Sequence, residues 1–229
     1  MIKLYEAFVN FVLKLDFIPA ILLRLFLAPV FIIAGYNKLQ LSNTELSIGE
    51  QFTADPNVIA WFGNTEWGLG LPFPEVLANL AAWTEFFGGW LLIIGLAVRL
   101  ISIPLMVTMF VAATSVHLEN GWFAITPTNP DTSAAQVLDW FGFEEAEDSL
   151  KNSEEAAVRL GRMKSILEEN GNTQWLYGKG NIAILNNGIE FSATYFLMLL
   201  ALFFIGPGRW FSLDHWLYKP EPVVESTSN

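Results

Sequence analysis

Cysteine is absent from the 229-residue sequence, and histidine occurs only twice. Without thiols the chain cannot form disulfides, thiol redox centres, cysteine-bound iron–sulfur clusters or covalently attached haem. Two histidines are also too few for a multi-histidine metal site. The sequence contains no metal, haem or nucleotide motif, so we predict no such cofactor held by the chain itself.

Basic residues are also scarce, because 12 Lys and Arg stand against 23 Asp and Glu, giving a net charge of −11. This balance argues against nucleic acid as a partner, since nucleic acids select basic surfaces. It also argues against a peripheral protein held at anionic lipid by clusters of Lys and Arg. Apolar residues are abundant instead: 53% of the chain is hydrophobic, and mean hydropathy is +0.41. This composition is typical of an integral membrane protein in contact with lipid.

Four apolar runs predict four transmembrane helices, since about 20 apolar residues cross a hydrocarbon core of roughly 30 Å. Residues 1–17 place apolar side chains on one face and predict an amphipathic helix at the membrane interface. The four predicted spans cover about residues 20–39, 76–98, 101–116 and 188–205.

A long polar stretch separates the third and fourth runs. Within it, composition predicts helices over Ser133–Trp140 and Glu144–Glu169. The segment 40–73 contains many turn residues and acids and predicts a loop. The predicted fold is therefore an all-α integral membrane protein. It is a four-transmembrane-helix bundle with an N-terminal interfacial helix and a helical extracytoplasmic insertion, 124–187, between helices 3 and 4.

Most basic residues near the ends of the spans fall on one side of the membrane when four helices are counted. Since Lys and Arg favour the cytoplasmic side, this bias predicts that both termini are cytoplasmic. The two long loops, 40–73 and 124–187, then lie outside. We predict one membrane domain over 1–217, followed by a polar tail over 218–229.

The second span contains an acid near its middle, Glu85. An ionised carboxylate is costly at this depth, so Glu85 is expected to face other helices or a cavity. Five residues spaced three or four apart are predicted to share one face of this helix. The face carries an acid, a base and a glycine that allows another helix to pack closely. The residues of this face are Glu85, Gly89, Leu92, Leu96 and Arg99.

The first span has a similar stripe with charged ends and small residues in its middle. Both charge separations, Arg24 to Lys38 and Glu85 to Arg99, are 14 residues, or about 21 Å of helix. The stripe of the first span consists of Arg24, Ala28, Phe31, Gly35 and Lys38.

Estimated depths place four polar side chains at a similar level: Lys38, Glu85, His117 and Glu190. We predict that they converge on a polar pocket in the outer half of the bundle, with Glu85 and His117 as candidates for proton transfer. Structural alternatives exist for each. Glu85 could be a structural acid paired with Lys38, Lys38 a snorkelling lysine, and His117 a helix cap. Arg24 could reach the inner headgroups.

The ordered set of these residues resembles the DoxX family of small four-helix inner-membrane proteins of bacteria and archaea. The resemblance covers roughly 18–123 and 187–217. It is carried by Arg24-x10-Gly35-x2-Lys38, Glu85-x2-Gly88-Gly89-x5-Gly95-x3-Arg99, His117 with Gly121-Trp122-Phe123, and Gly206-Pro207-Gly208-Arg209-x2-Ser212-x-Asp214.

The family includes a subunit of a thiosulfate:quinone oxidoreductase, and MauE-like relatives assist the maturation of redox proteins. The resemblance implies a quinone-linked redox subunit or a redox accessory protein in a bacterial inner membrane, with quinone as the expected cofactor. The candidate quinone pocket consists of Arg24, Lys38, Glu85, His117 and Glu190. The alternative hypothesis is a non-enzymatic assembly or maturation factor that docks a membrane or extracytoplasmic protein partner through the insertion 124–187. A third hypothesis is a small transporter that uses Glu85 as a proton-coupled carboxylate.

Overall fold

The computed structural model describes residues 2–217, and every regular element in that range is helical. Extended backbone pairs only at two isolated bridges within the described residues, Leu39 with Ala54 and Ile125 with Leu185. The predicted all-α class is confirmed. The α-helices are α1 (Ile2–Lys14), α2 (Phe17–Tyr36), α3 (Ile48–Gln51), α4 (Pro56–Gly63), α5 (Pro74–Ile94), α6 (Val98–Ala112), α7 (Ala135–Asp139), α8 (Glu144–Asn170), α9 (Thr173–Leu176), α10 (Glu190–Ile205) and α11 (Leu213–Leu217).

Three helical segments are long and apolar enough to cross a membrane: Ile2–Tyr36, Pro74–Ile94 and Val98–Asn120. The last continues α6 through one π-helical turn and one 3-10 turn. Helix α10 is also apolar, but its 16 residues extend only about 24 Å, slightly less than the bilayer core. The chain is therefore a multi-pass membrane protein, and the fourth span stays a prediction. The tail 218–229 lies outside the described residues.

The helix predicted over 76–98 ends earlier than expected, at Ile94. Gly95 has φ +68° and Ala97 has φ +51°, so the chain leaves the right-handed helix and turns into α6 at Val98. Glycine is the residue that ends helices in this left-handed conformation most readily. The predicted continuous face from Glu85 to Arg99 is therefore wrong, because Arg99 belongs to the next helix.

The core of the membrane helices is built around close packing of α2 against α5. Gly35 lies so close to α5 that a Cβ there would overlap the backbone of Phe86, and a Cβ on Gly89 would lie 2.9 Å from the Ala28 carbonyl oxygen. Side chains from α2, α5, α6 and α10 form one buried apolar cluster. Its members are Ala20, Leu27, Ala28, Phe31, Leu92, Val98, Leu105, Leu199 and Leu202.

The segment 40–73, predicted as a loop, contains two short helices. Helix α4 begins at Pro56 after Asp55, whose carboxylate accepts a hydrogen bond from the Asn57 N–H as an N-cap. Phe62 of this helix packs in a second buried cluster with Ala78 of α5. The segment therefore packs against the first half of α5.

The chain contacts divide the protein into two compact units. The first comprises the described residues within Met1–Ser115 and Ser192–Asn229, and the second is Val116–Phe191. The second unit contains the predicted insertion 124–187, and α7 and α8 confirm the two helices predicted there. Helix α1 has no buried residue, and its interfacial position stays a prediction.

Candidate functional site

Lys38 and Glu85 form an ion pair in the first unit, with 2.5 Å between Lys38 Nζ and Glu85 Oε2. The Glu85 side chain is 6% exposed and that of Lys38 is 25% exposed. Glu85 lies in the middle of α5, whereas Lys38 follows the end of α2, with its N–H donating to the Gly35 carbonyl oxygen. The predicted proximity of these two residues is observed.

The small residue at position 35 accounts for this proximity. Because Gly35 has no side chain, the last turn of α2 contacts the backbone of Phe86, the residue directly after Glu85. Lys38 lies three residues beyond Gly35, so its side chain reaches back to the carboxylate. A close helix–helix approach at a small residue thus places the cation next to the acid.

The segment after Lys38 is tied to both helices. The Asp55 N–H donates to the Lys38 carbonyl oxygen at 2.8 Å, and the Ala54 N–H donates to Asn79 Oδ1, also at 2.8 Å. The Trp83 indole N–H donates to the Phe52 carbonyl oxygen at 2.6 Å. Asn79 and Trp83 both belong to α5, so the segment is held against the helix that carries Glu85.

Three phenylalanine rings form a cluster, and two of them, Phe86 and Phe87, directly follow Glu85 in the sequence. The ring of Phe52 stacks on that of Phe87 with a centroid distance of 5.9 Å and an interplanar angle of 16°. The Phe86 ring meets the other two edge-on, at 6.3 Å from Phe52 and 5.3 Å from Phe87. Sequence analysis missed Phe52, because nothing in a loop pattern shows which helix the loop packs against.

The arrangement leaves hydrogen-bonding capacity at the ammonium group. A lysine ammonium has three N–H donors. Among the described residues Lys38 Nζ uses two of them, a short contact to Glu85 and a longer one of 3.4 Å to the Ala34 carbonyl oxygen. One donor on a partly exposed side chain is therefore left for a ligand.

Arg24 lies in the first half of α2, 14 residues or about 21 Å of helix from Lys38. It is 2% exposed, and its guanidinium donates to four backbone carbonyl oxygens. The acceptors and distances are Leu92 at 2.7 Å, Ile93 at 2.7 Å, Pro207 at 2.7 Å and Phe211 at 3.0 Å. The structure thus does not bring Arg24 next to the Lys38–Glu85 pair, and the guanidinium caps the end of α5.

His117 and Glu190 belong to the second unit, and each contacts the backbone there. His117 Nδ1 lies 2.8 Å from the Asn187 carbonyl oxygen. Since a carbonyl oxygen only accepts, Nδ1 carries the proton in this contact. Glu190 Oε2 accepts a hydrogen bond of 3.0 Å from the Ala124 N–H. Both residues fix the ends of the chain segment that forms the second unit.

Two residues whose roles the sequence did not reveal, Ser212 and Asp214, complete the end of the helices near Arg24. Ser212 Oγ donates to the Gly95 carbonyl oxygen at 2.8 Å. The Asp214 carboxylate accepts hydrogen bonds from the Ala97 N–H at 2.7 Å and the Val98 N–H at 2.9 Å. An acid at the start of α6 satisfies its unpaired amide groups and interacts favourably with the helix dipole. The sequence shows Ser212 and Asp214 as part of a family-like motif, but their contacts with the turn at Gly95 depend on tertiary structure.

The part of the chain that the structure describes, residues 2–217, has no group of three or more His, Asp or Glu side chains placed to hold a metal ion.

The profile of the DoxX family matches residues 20–118. This region runs from α2 to the end of the third membrane segment and includes Arg24, Lys38, Glu85 and His117. The chain therefore contains a DoxX family domain over residues 20–118. No curated protein and no solved structure matches the chain.

Proposed function

We propose that this protein acts in quinone-linked redox chemistry and that the Lys38–Glu85 pair is the polar part of a quinone-headgroup site. The observation that supports this proposal best is the ion pair itself, a cation and an acid 2.5 Å apart within the α2–α5 contact. A buried ion pair gains little stability, because desolvation of both charges offsets their attraction. A functional role therefore explains the presence of this ion pair among apolar helices better than a contribution to stability does.

The groups around the pair suit a quinone headgroup. A quinone carbonyl oxygen accepts hydrogen bonds, and Lys38 Nζ has one N–H that the described residues leave unused. The flat ring of a quinone can stack on an aromatic side chain. Phe52 and Phe87 stack on each other, so the proposed quinone would use the outer face of one of these two rings. The isoprenoid tail would then lie among the apolar side chains and lipid.

The Lys38–Glu85 pair could also transfer protons during quinone reduction. Reduction of a quinone to a quinol consumes two electrons and two protons. In the proposed site Lys38 would give one proton to the carbonyl oxygen that it contacts and would regain a proton through the Glu85 carboxylate. The second carbonyl oxygen would take its proton from water at the membrane surface. The electrons come from a redox protein bound to this chain, and the direction reverses when a quinol is oxidised.

The proposal includes a membrane arrangement. Helix α10 is the fourth span, both termini are cytoplasmic in a bacterial inner membrane, and the Lys38–Glu85 pair lies in the outer half. His117 and Glu190, which lie at the ends of their membrane segments, remain candidate proton carriers. Arg24 is assigned to the inner end, where it holds helices together.

A binding titration tests the proposed site. Purified full-length protein in lipid nanodiscs is titrated with a short-chain ubiquinone, for wild type, Lys38→Met and Glu85→Gln. We expect saturable binding that each substitution weakens about tenfold or more, the effect of losing a charge-assisted hydrogen bond.

Helix α8 offers a matched control for both substitutions. Lys151 and Glu147 form an exposed ion pair of 2.8 Å in the second unit. Lys151→Met and Glu147→Gln make the same chemical changes in an ion pair of the second unit and should leave quinone binding unchanged. Absence of saturable binding in folded wild type would remove the redox proposal.

A second candidate function is supported by the surface of the second unit. A cavity of about 800 Å³ there is lined largely by apolar side chains, including Trp122, Val137 and Phe143. Close to it in the chain, Trp140 is 73% exposed and Phe141 is 77% exposed. Exposed aromatic residues are enriched at protein interfaces. These features favour an assembly or maturation factor that docks a partner protein through residues 124–187.

The variants Trp140→Ser and Phe141→Ser separate the two candidates. A docking function predicts that they abolish maturation of the redox partner while quinone binding of the isolated protein is unchanged. A purely redox function predicts that both variants behave as wild type.

A further inference from the structure

We propose that a cavity at the arginine-bearing end of the membrane helices binds the headgroup of an anionic phospholipid. The cavity has a volume of about 930 Å³ and lies within the first unit. It is lined where α2 and α6 begin and where α10 ends, so it lies at the ends of helices rather than at mid-membrane. Its lining includes Phe17, Arg99, Leu100, Ile205 and Arg209.

A glycine turn after α10 forms one wall of this cavity. Gly206 has φ +80° and Gly208 has φ +82°, conformations that favour glycine. A Cβ on Gly206 would lie 2.7 Å from Arg99 Cζ, so the turn packs directly against that guanidinium. The fold thus holds Arg99 beside the end of α10.

Both arginines are anchored while part of each guanidinium stays available. Arg99 donates from Nε to the Phe203 carbonyl oxygen at 3.1 Å and from Nη2 to that of Phe204 at 3.2 Å. Arg209 donates from Nη2 and Nε to Asp16 Oδ1, at 2.6 and 3.2 Å. Among the described residues neither Nη1 atom donates a hydrogen bond. Arginine binds phosphate oxygens through such paired N–H groups.

The charges around the cavity leave one positive charge for a ligand. Asp16 pairs with Arg209, and both oxygens of Asp214 accept hydrogen bonds from backbone amides. Among the lining residues Arg99 and Arg209 balance Asp16 and Asp214. The excess of one positive charge comes from Arg24, which lies behind the lining and donates to the carbonyl oxygen of the lining residue Pro207. A phosphodiester carries one negative charge and would neutralise it. The inference stands apart from the quinone proposal, because the lipid site contains neither Lys38 nor Glu85.

Apolar side chains next to the arginines favour a lipid over a free anion. Leu100 is 70% exposed, Ile205 is 50% exposed and Leu217 is 64% exposed, and all three line the cavity. In a membrane protein such side chains at helix ends contact acyl chains, while the arginines reach the headgroup level. The occupant that satisfies both features is a phospholipid with an anionic headgroup.

Lipid binding to the full-length protein tests this site. After delipidation in detergent, the protein is titrated with phosphatidylglycerol, with phosphatidylcholine of the same acyl chains, and with inorganic phosphate, and bound lipid is counted by native mass spectrometry. We expect one phosphatidylglycerol bound saturably and about tenfold more tightly than phosphatidylcholine. Equal affinity for the two lipids overturns the proposal. So does inorganic phosphate that displaces the lipid completely at concentrations similar to its own, because the site would then be one for a soluble anion.

Three substitutions locate the binding. Arg99→Gln and Arg209→Gln should each weaken phosphatidylglycerol binding about tenfold, whereas Arg159→Gln removes the same charge from the exposed α8 and should have no effect. Arg209 is an exposed residue, so its variant should fold even if Arg99→Gln does not. Unchanged selectivity for phosphatidylglycerol in folded Arg209→Gln overturns the proposal.

Discussion

The ammonium of Lys38 and the carboxylate of Glu85 lie 2.5 Å apart, although 47 residues separate them in the chain. Their contact joins the end of α2 to the middle of α5 within the region that matches the DoxX family. An ion pair with one nearly buried partner couples the stability of the helix contact to the charge state of both groups.

A double-mutant cycle should reveal this coupling. Lys38→Met and Glu85→Gln each leave the other charged group without its partner, so each should lower the free energy of unfolding by about 1–3 kcal/mol. The double variant should lose less than the sum of the two, with a coupling energy of about 1–3 kcal/mol. Reversible unfolding in detergent micelles measures all four proteins.

The exposed Lys151–Glu147 pair provides the comparison for this cycle. Its two side chains are each 62% exposed, and exposed pairs contribute little because solvent screens them. Its coupling energy should stay well below that of Lys38 and Glu85. Equal coupling in the two pairs would show that the pair in the α2–α5 contact is an ordinary surface interaction.

Glycine-to-alanine substitutions should distinguish a glycine packed against backbone from one packed against side chains. Gly35→Ala places a Cβ against the backbone of Phe86, which cannot move aside, so we expect a loss of about 2 kcal/mol or more. Gly88→Ala meets only side-chain atoms, Ile101 Cγ1 and the two Cδ atoms of Leu105, at 3.2–3.3 Å. Its cost should be offset by the better helix propensity of alanine, leaving stability within about 1 kcal/mol of wild type. Thermal unfolding of both variants in the same detergent checks the difference, and similar losses would contradict the close α2–α5 contact.

Arg24 should be important for folding. Its guanidinium satisfies four carbonyl oxygens in a buried position, so Arg24→Gln should lower the free energy of unfolding by about 3 kcal/mol or more. Arg24→Lys keeps the charge but has only three donors, and it should fall between the wild type and Arg24→Gln. If Arg24→Gln instead folds as stably as wild type and loses quinone binding, Arg24 belongs to the functional pocket.

Asp214 should stabilise the turn between α5 and α6. Asp214→Asn keeps one acceptor oxygen for the two amide groups of Ala97 and Val98, so we expect a loss of about 1 kcal/mol. Amide hydrogen exchange should then increase at Ala97 and Val98 and stay unchanged at Asn57, which Asp55 caps in the same way. If Asp214→Asn changed the exchange rates of all three amides equally, the assigned role would be contradicted.

The apolar runs predicted the membrane helices because hydrophobic length is a local property of the sequence. The contact of Lys38 with Glu85 could also be predicted, since helix rise fixes the depth of each charge. The break at Gly95 could not, because glycine is also common inside packed membrane helices and only tertiary contacts decide between these uses. The position of Phe52 depends on how a loop folds onto α5, for which hydropathy carries no signal.

Photoaffinity labelling with an azido-quinone tests the central claim most directly. Full-length protein in nanodiscs is labelled with and without excess unlabelled quinone, and the labelled peptides are identified by mass spectrometry. The Lys38–Glu85 site predicts competed labelling on peptides from the end of α2 and the middle of α5, and a large decrease in Glu85→Gln. Competed labelling confined to the second unit, Val116–Phe191, or unchanged by Glu85→Gln, would contradict the account.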